Sequence, residues 1–571
     1  MAYLKKINKK LTKEFGGEVG AREDSGRLIL YGQLPRWEDV VRAGSMVLNK
    51  KRYIGLVSDI VCTGEKSSPP RLPADRDDSL AGEAPDVLII GGGVTGCAIA
   101  RELSRFKISV MLVEKEHDLA MHASGRNDGV VHSGIDLKKG TAKYYYNRLG
   151  NRMFDKVCAE LSVDFDRCGQ YLCVSKRLWI PVMYLSLLYW WWQGLSKIRV
   201  VGKKKLRELE PGVAGTIRAA LYFPASGVVC PYNLTIGYAE NAVQNGARVF
   251  MDTAVLGMES ENGEITGVST NRGRIYPKVI VNAAGVFCED IARMAGDRFY
   301  SIHPRKGTNA ILDKKYSYDI VRTAISSLET ASTKTAHTKG GGIIHTVDGN
   351  SLVGPDAVET IEKEDFTTTR QSITETFHRQ RLASPVISQS QIITYFTGVR
   401  ASTYEEDFVV CKGKFVRNMV HAAGIQSPGL TAAPAIGVDA ARMAVELLGG
   451  EQAVEKNTEF DPVRRIAPRT AKLDAEARVE LIGQNPDYGV IICRCEEVSR
   501  GEIISALRRN IPCDTIDGVK RRVRPGMGRC QGGFCGPLVL DIIAREKGIA
   551  LDRVKKSGDG SELLFGPTKT G

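Results

Sequence analysis

The chain has 571 residues, 43% apolar and 25% charged, which is ordinary globular composition and excludes a disordered or collagen-like protein. This length exceeds what one hydrophobic core fills, so several domains are expected. With 79 lysines and arginines against 66 acids the net charge is +13, which permits an anionic substrate, an acidic partner or a membrane surface and selects none of them.

The first ten residues carry lysines but no apolar signal core, so a cytoplasmic, reducing setting is expected. Residues 1–62 read as a small α/β module. Lys5, Lys6, Lys9, Lys10 and Lys13 form a solvated helix face, followed by a strand over Arg27–Tyr31, a helix over Trp37–Val47 and a strand over Tyr53–Val61. Residues 63–84, rich in Pro, Ser, Gly and charge, read as a linker. A large α/β body spans 85–448, a polar connector 449–488, a compact cysteine-bearing module 489–548 and a loose tail 549–571.

The body opens on a short apolar strand, Asp86–Ile90, entering Gly91-Gly92-Gly93-Val94-Thr95-Gly96 and a helix over Cys97–Phe106. Gly91 permits the tight turn, Gly93 the approach of a pyrophosphate and Gly96 close helix–strand packing. The helix N-terminus then offers amides and a positive dipole end to phosphates. A second strand, Ser109–Val113, ends at Glu114, 23 residues after Gly91, where a carboxylate accepts ribose hydroxyls. NAD fits this pattern as well as FAD; the later elements favour FAD. They are the polar loop Ala123–Gly134, the strand Val279–Asn282 with Ala283-Ala284-Gly285, and His421–Thr431 leading into a helix. That second helix N-terminus suits a reduced, anionic flavin.

Between them lies the most apolar stretch, Leu178–Trp192. At about 1.5 Å per residue it reaches only about 22 Å, short of a hydrocarbon core of about 30 Å. Lys176, Arg177, Lys197 and Arg199 flank it. A subunit interface, a membrane surface contact and a core helix all remain open here.

Near the C-terminus Cys493-Arg494-Cys495, a 34-residue gap and Cys530–Cys535 give CxC and CxxxxC. Four thiolates on two loops make one soft-metal site, iron–sulfur or zinc. CxC is less usual than CxxC for structural zinc. Arg508, Arg509, Lys520, Arg521, Arg522, Arg524 and Arg529 concentrate positive charge beside it. This charge is read as balancing an anionic cluster or docking an acidic electron acceptor. Aromatic interleaving is absent, so nucleic acid is not an expected partner.

The fingerprint, the Ala123–Gly134 loop and the 279–285 and 421–431 segments together resemble the D-amino-acid oxidase-like superfamily of FAD oxidoreductases over about 85–448. Within it the chain is most similar to the glycerol-3-phosphate dehydrogenase and L-2-hydroxyglutarate dehydrogenase branches. The cysteine module resembles the bacterioferritin-associated-ferredoxin-like [2Fe–2S] domain, so Cys493, Cys495, Cys530 and Cys535 are the expected cluster ligands. This implies an α/β fold: an FAD-binding Rossmann-like domain, an antiparallel-sheet substrate domain, the N-terminal module and a small [2Fe–2S] domain. Gly246–Thr253 resembles the strand that covers the adenine.

Expected FAD contacts are Gly91, Gly93, Val94, Thr95, Gly96, Glu114 and Lys115, then Ser124, Arg126, Asn127, Gly129, Val130 and His132. Ala254, Val255, Ala284 and Gly285 follow, with Gly424, Ser427, Pro428, Gly429, Leu430 and Thr431 near the end of the body. The resemblance makes His132 the active-site histidine and Arg400 the clamp for a substrate carboxylate or phosphate. Arg305, Lys306 and His345 are further candidates, and Thr338–Gly340 through Asn350 to Pro355 resembles a strand pair with its turn.

The implied function is an FAD-dependent dehydrogenase for a small anionic hydroxylated substrate, with sn-glycerol 3-phosphate favoured. Electrons would leave through a [2Fe–2S] cluster to a partner flavoprotein, an iron–sulfur subunit or a quinone pool. L-2-hydroxyglutarate, another 2-hydroxy acid or a hydroxyproline-like amino acid are alternatives, as is a non-catalytic electron-transfer subunit. Residues 1–84 lie outside the resemblance.

Overall fold

The computed structural model describes residues 2–195, 197–328 and 341–566. In the N-terminal module, helix Ala2–Phe15 turns Ile7, Leu11 and Phe15 inward, a four-residue spacing that makes one apolar stripe. Lys5, Lys6, Lys9, Lys10 and Lys13 stay exposed. Strands Val19–Asp24 and Arg27–Leu34 pair antiparallel, and Leu56–Cys62 joins in parallel after the helix Trp37–Val47. The core of this module takes in Tyr404 of the body. The amide of Leu56 donates to Glu405 Oε1 (2.9 Å) and that of Ser58 to Ser301 Oγ (3.0 Å).

Residues 63–84 contain neither helix nor strand, yet they are pinned to the body. The Ser68 amide donates to Glu362 Oε1 at 2.9 Å and the Arg71 amide to Glu364 Oε2 at 2.7 Å. Further along, the Leu80 amide donates to the Arg272 carbonyl at 2.8 Å. Backbone hydrogen bonds of this kind make a fixed strap rather than a free tether.

The body begins with a six-stranded sheet in the order 248–250, 110–113, 87–90, 279–282, 419–423, 409–412. All neighbours are parallel except the last pair. Val87–Ile90, Val110–Val113 and Val279–Asn282 are buried at every position, as strands covered on both faces must be. Helices Val94–Leu103, Ala142–Glu160, Pro231–Gln244 and Gly429–Leu447 build the core on one face. The antiparallel meander Val255–Glu261, Glu264–Thr270, Gly273–Ile275 covers the other.

A nine-stranded, mostly antiparallel sheet forms the second half of the body. Its two longest strands, Ile302–Leu312 and Ile392–Thr403, set Arg305 opposite Arg400 and Gly307 opposite Gly398. Gly342–His345 and Ser351–Gly354 pair antiparallel around a turn; Thr338–Gly340 lie outside the described residues.

Helix Trp179–Trp192 packs Ile180, Met183, Leu187 and Trp190 against Val174, Leu221 and Phe223. Most of its other apolar residues face solvent, which rules out the core reading.

The cysteine module is a hairpin, Ile491–Cys493 with Val498–Ser499, and the helices Arg500–Leu507, Ile516–Val523 and Gly536–Lys547. Ile503, Val519 and Ile543 centre its core. The basic residues expected to balance a cluster or dock a partner mostly face this chain instead. Arg522 grips Asp118 bidentately at 3.0 Å, with Arg521 on the same carboxylate at 2.9 Å. Burial opposes ionisation of Asp118, yet Arg522 and Arg521 hold its carboxyl well below the usual range. Arg524 bonds Asp348 (2.6 Å) and Glu496 (2.9 Å), and Arg508 bonds Glu546 (2.8 Å). The connector carries its own helix, Ala475–Gln484. The expected loose tail is held too, by Lys555 and Lys556 carbonyls that accept from Ile516 and Asp517 amides; residues 567–571 lie outside the described part.

Candidate functional site

A cavity of about 1530 Å³ lies between the six-stranded and nine-stranded sheets. This exceeds the 300–1,000 Å³ common for one small ligand and has room for a dinucleotide beside a substrate. Its floor is the fingerprint turn. Gly91 has φ +113°, and a Cβ on Gly96 would lie 2.0 Å from the Gly91 carbonyl oxygen, so neither position accepts a side chain. Gly91, Gly93, Val94 and Thr95 line the cavity, while Gly96 packs behind it. At the end of the second strand Glu114 accepts the amides of Gly92 (2.6 Å) and Glu116 (2.9 Å). Burial, partly countered by these amides, raises the Glu114 pKa.

The other expected cofactor segments converge on the same space. Lys115, Ser124, Arg126, Asn127 and Val130 line it, as do Ala254 and Val255. Ala284 and Gly285 come from the turn that follows the strand Val279–Asn282, and Ser427, Pro428, Gly429 and Leu430 from the start of the helix Gly429–Leu447. Gly129, Gly424 and Thr431 do not line it, but the Thr431 hydroxyl accepts the His132 amide at 2.9 Å. A glycine-floored turn, an open helix start and a carboxylate one strand away fit an FAD pyrophosphate and ribose.

His132 faces the cavity with Nε2 3.4 Å from Ser427 Oγ. Arg400 also faces it, and its guanidinium donates to two backbone carbonyls, Asp356 (3.1 Å) and Lys306 (3.4 Å). Burial lowers its pKa, with Asp128 and Asp356 acting against that shift. No carboxylate pairs with it among the described residues. A Cβ on Gly307, across the strand pair, would stand 2.2 Å from Arg400 Nη2, so the bare backbone there makes room for the guanidinium.

The other three candidates differ. Arg305 lines the cavity but is spent in two ion pairs, with Glu359 and Glu406, both at 2.7 Å. Lys306 does not line it and pairs with Asp365. His345 also lies off the cavity, tilted against the Tyr318 ring at 5.3 Å, and burial lowers its pKa. Sequence reasoning missed the strap Ser67–Leu72 and the loop Glu362–Asp365, which close one end of the cavity through an Arg71–Glu364 pair (3.3 Å). Nothing in their composition marks them.

In the cysteine module the four sulfurs associate in twos. Cys495 and Cys530 lie 3.8 Å apart, and Cys493 bonds Cys535. The bond from Cys535 brings the Cys493 thiol down to about 6, towards the thiolate that binds metal. All thirteen cysteines are free of disulfides, and two sulfurs for each iron fit a [2Fe–2S] cluster.

Residues 86–443 match the family described as FAD dependent oxidoreductase. The chain belongs to that family. Residues 491–545 match the BFD-like [2Fe-2S] binding domain, so this oxidoreductase carries FAD and a [2Fe–2S] cluster, and the zinc reading falls. It is 36% identical over 489 residues to a protein named glycerol 3-phosphate dehydrogenase from Caloramator mitchellensis, covering 85% of this chain and 99% of that one. It is 24% identical to a subunit of the anaerobic glycerol-3-phosphate dehydrogenase of Escherichia coli, across 81% of this chain and 88% of that one. Among solved structures, the FAD-bound L-alpha-glycerophosphate oxidase of Mycoplasma pneumoniae superposes with a TM-score of 0.60 at 28% identity, covering 68% of this chain and all of that one. The oxidoreductase has no helix among its described residues long and apolar enough to cross a membrane.

Proposed function

We propose that the protein oxidises sn-glycerol 3-phosphate at its secondary hydroxyl. The observation that carries this reading is Arg400: a cavity-facing cation held by backbone carbonyls, beside a dinucleotide floor. A planar two-pronged donor matches two phosphate oxygens. The names of the relatives from Caloramator and Mycoplasma support the same substrate.

Oxidising an alcohol removes a hydride from carbon and a proton from oxygen. FAD, when bound, supplies the hydride acceptor, and the [2Fe–2S] cluster supplies a one-electron exit. The chain's own residues do the rest. Arg400 fixes the phosphate and thereby the reacting carbon, an entropic contribution as much as an electrostatic one. His132, whose imidazole faces the cavity, takes the hydroxyl proton as general base. Its backbone is held for this by Thr431 below and by Asn151 Nδ2 donating to its carbonyl at 3.0 Å.

Electrons pass on to a partner subunit or a quinone pool; the Escherichia coli relative is itself named as a subunit. Thirteen cysteines without a disulfide support a cytoplasmic setting. The test is anaerobic mixing of the holoenzyme with sn-glycerol 3-phosphate, L-2-hydroxyglutarate, hydroxyproline and glycerol while flavin absorbance is followed. The first should bleach the flavin fastest. Bleaching by L-2-hydroxyglutarate instead moves the substrate to a hydroxy acid, and bleaching by none leaves an electron-transfer subunit.

A further inference from the structure

The helix Trp179–Trp192 is held from one side only. Ile180, Met183, Leu187 and Trp190, spaced three and four apart, pack on the substrate sheet. The outward side is apolar as well: Leu178 is 83% exposed, Trp191 72%, Leu188 71%, Leu185 69%. Soluble surfaces rarely present so many large apolar side chains together unless something covers them.

Two features select the cover. The first is charge. Residues 176–207 contain eight lysines and arginines and no aspartate or glutamate. Lys176, Arg177, Lys197 and Arg199 are exposed at the two ends of the helix, and Lys139 from a neighbouring loop sits 4.6 Å over the Trp192 ring. The second is chemistry. The outward face offers tryptophan, tyrosine and leucine, and the hydroxyl of the helix's one serine, Ser186, is returned to the Met183 carbonyl at 2.7 Å. The polar atoms left on this face are the indole N–H and phenol O–H tips of exposed Trp179, Tyr184, Tyr189, Trp191 and Trp192, and amphipathic rings flanked by cations suit the headgroup zone of a bilayer.

We propose that the Trp179–Trp192 helix is an interfacial anchor that seats this protein on an anionic lipid bilayer. The helix lies in the headgroup plane, because its 14 residues reach only about 21 Å, too short to cross. Leu185, Leu188 and Trp191 enter the acyl boundary, and the flanking lysines and arginines meet lipid phosphates. The helix meets the Arg400 cavity only through its inward Trp190; the outward face lies outside that cavity, so the proposal stands whatever the substrate is.

The anchor reports on itself, because four of the chain's five tryptophans lie in this helix. The full-length holoenzyme is mixed with vesicles of equal phosphatidylglycerol and phosphatidylcholine, with pure phosphatidylcholine as the comparison. Co-flotation, a blue shift of tryptophan emission and quenching by brominated lipids are read. The wild-type protein should float with the anionic vesicles, less with neutral ones, and progressively less as salt shortens the Debye length. The double variant Leu185→Glu/Leu188→Glu should lose at least about tenfold in partitioning. Unchanged flavin and cluster spectra will show that it is folded. Absence of flotation at low salt overturns the proposal, as does equal flotation of the double variant. So does a wild-type dimer that this variant converts to a monomer without vesicle binding, since the face would then be a contact between copies of the chain.

Discussion

Replacing Arg400 with glutamine removes a cavity-facing cation that no carboxylate pairs among the described residues, while leaving a side chain that can still reach toward the Asp356 and Lys306 carbonyls. Two charge-assisted hydrogen bonds to a phosphate contribute about 1.5–3 kcal/mol each. The Arg400 guanidinium already donates to the Asp356 and Lys306 carbonyls and shares its N–H groups with them, so the lower part of the summed range applies. A loss of about 3–4 kcal/mol is roughly 10²–10³-fold in kcat/KM. Lysine at this position keeps the charge without the fork and should lose about tenfold. Steady-state oxidation with an artificial dye acceptor, on preparations of equal FAD content, gives these ratios. Glycerol, which carries no phosphate, should be oxidised equally slowly by wild type and Arg400→Gln. If Arg400→Gln stays within about threefold of wild type on sn-glycerol 3-phosphate, the anion is bound elsewhere and the reasoning fails.

Gly307→Ala places a methyl against Arg400 Nη2 and should raise KM about tenfold with flavin content unchanged; kinetics and the flavin spectrum check both parts. Cys495→Ser removes one of the four proposed cluster ligands and should abolish the iron–sulfur absorbance, while anaerobic flavin bleaching by substrate persists. The Asp118–Arg522 pair is buried, and Asp118→Asn should destabilise the docked cluster module by about 3–5 kcal/mol, measured by urea unfolding. Because the Asp118 carboxyl is held low in the folded protein, its contribution is complete above the unfolded carboxylate value of about 4 and is lost as pH falls through the lower folded value. The difference between wild type and Asp118→Asn should therefore be flat from neutrality to about pH 5 and shrink in stronger acid.

Features carried by neighbouring residues are readable from the sequence. The strand, glycine turn, helix and second strand from Val87 to Glu114 are a local unit, and Trp37–Val47 forms the helix its pattern indicates. The CxC and CxxxxC spacings mark the four cysteines, whereas their meeting as Cys495 with Cys530 and Cys493 with Cys535 comes only with folding. Distinctions made by distant partners are not readable. Arg305, Lys306 and Arg400 look alike in a sequence; the pairing of Ile302–Leu312 with Ile392–Thr403, and acids at 359, 365 and 406, separate the two ion-paired cations from Arg400. The positive charge of the cluster module looks free in the sequence because Asp118, Asp348 and Glu496 meet it only after folding. Composition likewise does not say that residues from the 63–84 segment wall the cavity, since a strap and a linker use the same turn-prone residues. For Leu178–Trp192 the hydrophobicity is plain, but only tertiary packing shows which side stays uncovered.

The most direct single measurement is anaerobic rapid mixing of the oxidised holoenzyme with sn-glycerol 3-phosphate, with flavin absorbance and rapid-freeze EPR of the cluster recorded on the same samples. The flavin should bleach first, and the signal of a reduced [2Fe–2S] cluster should follow within the same turnover. A flavin that stays oxidised, or one that bleaches beside a permanently silent cluster, would contradict a relay from substrate through FAD to iron within one chain.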